Sequence, residues 1–129
     1  GLRPYALQAS IAACHASAAT DTDTDWTRIT ALYTVLAHVA PSPVVELNRA
    51  VAVGRAYGPD HGLAILQGLA DRGELCGVPQ VAVVEADLLE RAGRRAEAVQ
   101  AYRQAAELTR NEAERSIFLE RADAVGGTP

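Results

Sequence analysis

Three aspartates separated by single threonines, Asp21, Asp23 and Asp25, have the spacing with which a calcium-binding loop begins. Such a loop also needs a glycine at its sixth position, where the chain turns sharply, and a glutamate at its twelfth, which binds calcium through both carboxylate oxygens. Those two positions hold Trp26 and Leu32. We therefore expect a solvated acidic loop whose last aspartate, Asp25, caps the helix that follows.

The thiol and imidazole groups form no pattern typical of a metal site or a nucleophile. Cys14 and His15 are adjacent, so on a helix they point about 100° apart and cannot bind one ion together. Neither His38 nor His61 has a second ligand one helical turn away. Nothing near Cys76 marks it as reactive, and we expect both cysteines to be small buried side chains. The sequence also lacks a glycine-rich phosphate loop, so we expect no metal, no cofactor and no catalysis.

The charge balance argues against nucleic-acid binding by this chain. Its 12 cationic residues, all arginine, are outnumbered by 16 aspartates and glutamates, which gives a formal net charge of -4. Nucleic-acid-binding proteins usually carry a clustered positive patch. No stretch approaches the ~20 apolar residues that span a bilayer, and no signal peptide is visible. We expect a cytoplasmic protein that binds neither nucleic acid nor membrane.

The spacing of apolar residues predicts helices throughout the chain and no sheet. Residues that favour helices, mainly alanine and leucine, supply much of the 49% apolar fraction. Proline and glycine mark several of the ends, as at Pro41-Ser42-Pro43 and Gly58-Pro59. The predicted helices cover about residues 4–19, 26–40, 43–57, 59–70, 79–92 and 95–108, with a seventh between an Asn111 cap and Gly126-Gly127.

The last pair of these helices fits part of the tetratricopeptide (TPR) repeat, in which two helices cross at small residues and a glycine lies at the turn. The matching residues are Ala86, Gly93, Ala98, Tyr102 and Ala105. The positions that usually hold a tryptophan, a leucine and a closing proline hold Ala82, Glu85 and Arg110 instead. We expect an all-α protein, a TPR-like α-solenoid of about seven antiparallel helices forming one domain over residues 1–129. An irregular helical bundle is the alternative.

Two polar segments interrupt this apolar pattern, and each has two interpretations. In residues 41–52, Ser42, Glu46, Asn48 and Arg49 lie among apolar residues. They either face water and cap helix ends, or form a polar patch that binds a peptide or another domain. In residues 110–115, the polar side chains either cap and pair along one helix or form a docking surface. The interaction candidates in this second segment are Arg110, Asn111, Glu112 and Arg115.

Four motifs together resemble a family of extracytoplasmic-function (ECF) sigma factors that carry a TPR-like C-terminal extension. The resemblance covers nearly the whole chain, and its most specific part is the run Pro-Ser-Pro-Val-Val-Glu-Leu-Asn-Arg-Ala-Val-Ala. The motifs are Trp26-x-x-Ile29-x-x-Leu32-Tyr33, the run just given at 41–52, Gly58-Pro59-x-x-Gly62-Leu63, and Arg110-Asn111-Glu112-x-x-Arg115.

The resemblance implies a fragment of a longer cytoplasmic protein, consistent with a start at Gly1 instead of Met. Sigma regions 2 and 4, which bind RNA polymerase and read promoter DNA, would precede it and are not part of this sequence. The extension would regulate transcription initiation by contacting those sigma regions or the polymerase core, without binding DNA itself. A small-molecule sensor is the alternative, with Trp26, Tyr33 and Tyr57 as candidate pocket residues.

Overall fold

A computed structural model describes residues 24–127, in which every regular element is an α-helix. The predicted all-α class is therefore confirmed for this part of the chain. The predicted helix at 4–19 lies outside the described residues, as do Asp21, Asp23, Cys14 and His15. The six described helices are α1 (Trp26–Val39), α2 (Pro43–Tyr57), α3 (Pro59–Asp71), α4 (Pro79–Arg91), α5 (Arg95–Leu108) and α6 (Glu112–Val125).

Short polar side chains cap three of these helices at their first turns, as the sequence predicts. Asp25 accepts a hydrogen bond from the backbone N–H of Arg28 at 3.0 Å, which caps α1. Ser42 accepts from the N–H of Val44 at 3.2 Å and caps α2, whose first residue is a proline. Asn111 caps α6 in the same way. Each cap satisfies a backbone donor that has no partner within its own helix.

The chain contacts cluster into two units that divide within α3, after Ile65. In the N-terminal unit, whose described residues are 24–65, helices α1 and α2 pack against each other. Two buried clusters form their core, Ile29 with Ala52 and Leu36 with Val45. Each cluster joins one residue of α1 to one of α2, so the amphipathic stripe of each helix faces the other.

In the C-terminal unit, whose described residues are 66–127, helix α5 packs against both α4 and α6. The residues Ala86, Ala98 and Ala105 are fully buried there. Alanine side chains are small, so helix axes can approach closely at these points. The turn between α4 and α5 contains Gly93 at a φ of 79°, a left-handed conformation that glycine adopts without steric cost.

Several large apolar side chains of these helices are exposed, although their hydrophobicity favours burial. Val44 is 54% exposed because its neighbour Val45 is the one that packs on α1. Ile117 and Leu119 are 52% and 43% exposed. Residues two apart on a helix point to nearly opposite sides, so these two cannot share one buried face. Only Ala122 and Val125 of α6 are buried.

Cys76 was also predicted to be buried, and this prediction is wrong. It lies in the turn segment between α3 and α4, where its exposed thiol donates a hydrogen bond to the Gly73 carbonyl oxygen at 3.4 Å. The segment reverses through left-handed conformations at Gly73, Leu75 and Gly77, with φ values of 67°, 57° and 76°. A turn of this kind has no buried face on which a cysteine could pack.

We expect the substitution Ala98→Leu to destabilise the C-terminal unit by about 1–3 kcal/mol, because the added carbons have no space at a fully buried site. The same substitution at Ala96, an exposed residue of α5, is the matched control and should leave the free energy of unfolding nearly unchanged. Urea unfolding followed by circular dichroism measures both. Equal effects at the two positions would contradict close packing of α5.

Candidate functional site

Three of the four polar candidates in residues 41–52 have local partners. Ser42 is the cap of α2, and Glu46 and Arg49 form an ion pair one turn apart. The pair is bidentate, with Arg49 Nε 2.9 Å from Glu46 Oε1 and Nη2 3.1 Å from Oε2. Its two side chains are about a quarter exposed, at 26% and 24%. These residues therefore stabilise the first half of α2.

The fourth candidate, Asn48, lies on an exposed side of α2. Val44 precedes it by one turn, and Val51 and Arg55 continue the same side at helical spacing, both partly buried. The Arg55 guanidinium stacks over the Trp26 ring at 5.3 Å from its centroid. We call Val44, Asn48, Val51 and Arg55 the α2 stripe. It combines an exposed apolar side chain, an exposed amide and a partly buried cation.

The second candidate segment forms the turn between α5 and α6. Thr109, buried at 4% exposure, lies at its centre. Its hydroxyl donates a hydrogen bond to Glu114 Oε1 at 2.8 Å and accepts one from the backbone N–H of Asn111 at 3.2 Å. Asn111 in turn accepts from the N–H of Glu114 at 3.0 Å. These bonds fix the turn and the start of α6 together.

Arg115 connects this turn to the end of α5. Its Nε donates to the carbonyl oxygen of Ala106 at 3.0 Å, and its Nη2 donates to that of Thr109 at 2.8 Å. Glu112 forms an ion pair with the same guanidinium. The last carbonyls of a helix lack partners within the helix and carry partial negative charge, so a guanidinium there is favourable.

A second arginine makes the matching contact at the opposite end of the same helix pair. Arg95, the first residue of α5, donates through Nε to the carbonyl oxygen of Val125, the last residue of α6, at 3.0 Å. We call Arg95 and Arg115 the arginine clamp. Each arginine lies in the first turn of one helix and donates to a carbonyl oxygen at the end of the other, which requires α5 and α6 to run antiparallel.

Among the eight predicted interaction residues, the side chains of Asn48 and Arg110 are exposed and form no hydrogen bond or ion pair within residues 24–127. The other six cap helices or form ion pairs along the chain. The structure does not bring the two candidate segments into one unit, since one belongs to the N-terminal unit and the other to the C-terminal unit. Their roles in binding stay predictions.

A buried tyrosine network in the C-terminal unit has no counterpart in the predicted sites. Tyr102 is fully buried and donates its hydroxyl to Glu90 Oε1 at 3.3 Å. The Arg121 guanidinium lies 5.6 Å from the centroid of its ring. Burial raises the pKa of Tyr102, the charge of Arg121 opposes this shift, and Glu90 and Asp87 add to it. The phenol is therefore held neutral as a hydrogen-bond donor.

The remaining candidates for chemistry do not converge in the described part of the chain. Residues 24–127 contain no group of three or more histidine, cysteine, aspartate or glutamate side chains arranged to hold a metal ion. His38 and His61 are both exposed. Within the same residues, no helix combines the length and apolar character needed to cross a membrane. Trp26 and Tyr33 pack on the Ile29 cluster, while Tyr57 is 57% exposed.

Comparison with known proteins gives one informative relative. No family model matches this chain, and no solved structure matches it. An uncharacterized protein of Rhizobium meliloti (strain 1021) is 40% identical over 126 residues. The match covers 98% of this chain but 29% of that protein. The relative therefore contains a stretch similar to nearly all of this chain within a much longer polypeptide.

We expect the substitution Arg115→Ala to destabilise the C-terminal unit by about 1–2 kcal/mol, because two carbonyl oxygens at the end of α5 lose a charged donor. Arg103→Ala is the matched control, since Arg103 is an exposed arginine of α5 that forms no ion pair in the described residues. The free energy of unfolding of the Arg103→Ala variant should differ from that of the wild type by less than about 0.5 kcal/mol. Thermal unfolding of both variants tests the clamp.

The stability of the protein should fall above about pH 10, the usual pKa of an unfolded tyrosine. The pKa of Tyr102 is raised in the folded state, so the unfolded chain releases this proton first and gains stability as the pH rises. Tyr102→Phe should make this loss of stability with pH smaller. Part of the loss should remain, because burial also raises the pKa of Tyr33. Urea unfolding between neutral and alkaline pH measures this, with Tyr57→Phe, at an exposed site, as the control.

Proposed function

We propose that this chain is the regulatory protein-interaction part of an ECF-type RNA polymerase sigma factor. It would be a TPR-like α-solenoid that binds the sigma regions of its own polypeptide or the polymerase core and so modulates transcription initiation in the cytoplasm. The chain itself would catalyse no reaction, require no cofactor and bind no DNA.

The packing of α4 and α5 supports the TPR-like part of the proposal. Ala86, Ala98 and Ala105 occupy the positions where a TPR repeat needs small residues, and all three are fully buried. Tyr102, at the position of the repeat's aromatic residue, is fully buried as well. Gly93 lies at the turn in the left-handed conformation. Stacked pairs of this kind present extended surfaces to other polypeptides.

The observation that carries the functional proposal is the α2 stripe. It lies within and just beyond residues 41–52, the run that most specifically resembles the sigma-factor family. Val44 is exposed next to Asn48 on a helix whose first turn is held by the Ser42 cap and the Glu46–Arg49 pair. Val44 is about half exposed, so a partner that buried the rest of this side chain would gain about 1 kcal/mol of hydrophobic stabilisation.

The long relative also supports a regulatory module. A stretch 40% identical to nearly all of this chain occupies 29% of that protein. An arrangement of this kind leaves most of the polypeptide for other domains, as in a sigma factor that carries an extension. The whole protein's activity is part of the proposal, and the full reading frame tests it first: it must encode sigma regions 2 and 4.

One observation favours a small-molecule sensor as the second candidate. The Thr30 hydroxyl is buried and has no hydrogen-bond partner within residues 24–127. It lies on α1 one turn after Trp26 and one turn before Tyr33, two of the predicted pocket residues. An unsatisfied buried hydroxyl is unfavourable, and a polar ligand would remove that penalty. Ligand-dependent increases in the melting temperature, lost in Thr30→Val, would support this candidate.

Binding of this chain to sigma regions 2 and 4 and to polymerase core, measured by biolayer interferometry, tests the proposal. We expect wild-type binding to one of these partners, and binding roughly tenfold weaker for the double substitution Val44→Ser and Asn48→Ala. Val35→Ser is the matched control, because Val35 is an exposed valine of α1 that lies outside the α2 stripe. It should bind as the wild type does.

Two results would contradict the proposal. The first is wild-type chain that binds neither the sigma regions nor the polymerase core. The second is equal weakening of binding by Val35→Ser and by the stripe variant, which would show non-specific hydrophobic binding instead of binding at a specific surface. Circular dichroism of each variant establishes that the helices are intact.

A further inference from the structure

We draw no further inference here: the strongest candidate, the exposed apolar face of α6 that carries Ala113, Ile117 and Ala124, carries nothing because no contact in the described part of the chain shows what covers it.

Discussion

The C-terminal unit depends on the close approach of α4 and α5, which buried alanines make possible. Ala98 and Ala105 have small side chains, so the two helices can lie close together. Tyr102 is buried beside them and donates its hydroxyl to Glu90. The same approach fixes α5 as the helix on which α6 packs. The arginine clamp also uses α5, and it would not keep its geometry if that helix moved.

The sequence predicts the helices well because their ends are marked by local chemistry. Asp25 and Ser42 cap the helices that they were expected to cap, and the predicted bounds of α2 and α5 match those in the structure. The buried faces are less predictable. Val44 and Ile117 are apolar but exposed, because other residues of the same helices, such as Val45 and Ala122, are the buried ones. An alanine-rich sequence carries a weak amphipathic signal, since small side chains suit either side of a helix.

The candidate sites illustrate a different limit. A polar residue in an apolar run can stabilise the fold or bind a partner, and the sequence pattern around it is the same in both cases. Glu112 and Arg115 turned out to stabilise the end of α5, whereas Asn48 lies exposed. The Tyr102–Glu90 hydrogen bond was missed because the two residues come from different helices and no local motif joins them. Distances between helices arise from packing, which periodicity does not encode.

The arginine clamp has a consequence for how this protein can diverge in evolution. Both clamp arginines donate to main-chain oxygens, those of Ala106 and Thr109 for Arg115 and that of Val125 for Arg95. Every amino acid supplies that oxygen, so the acceptor positions can change identity freely as long as the helix persists. Selection on the contact falls on the donors alone, and a homologue could retain this junction while sharing little else around it.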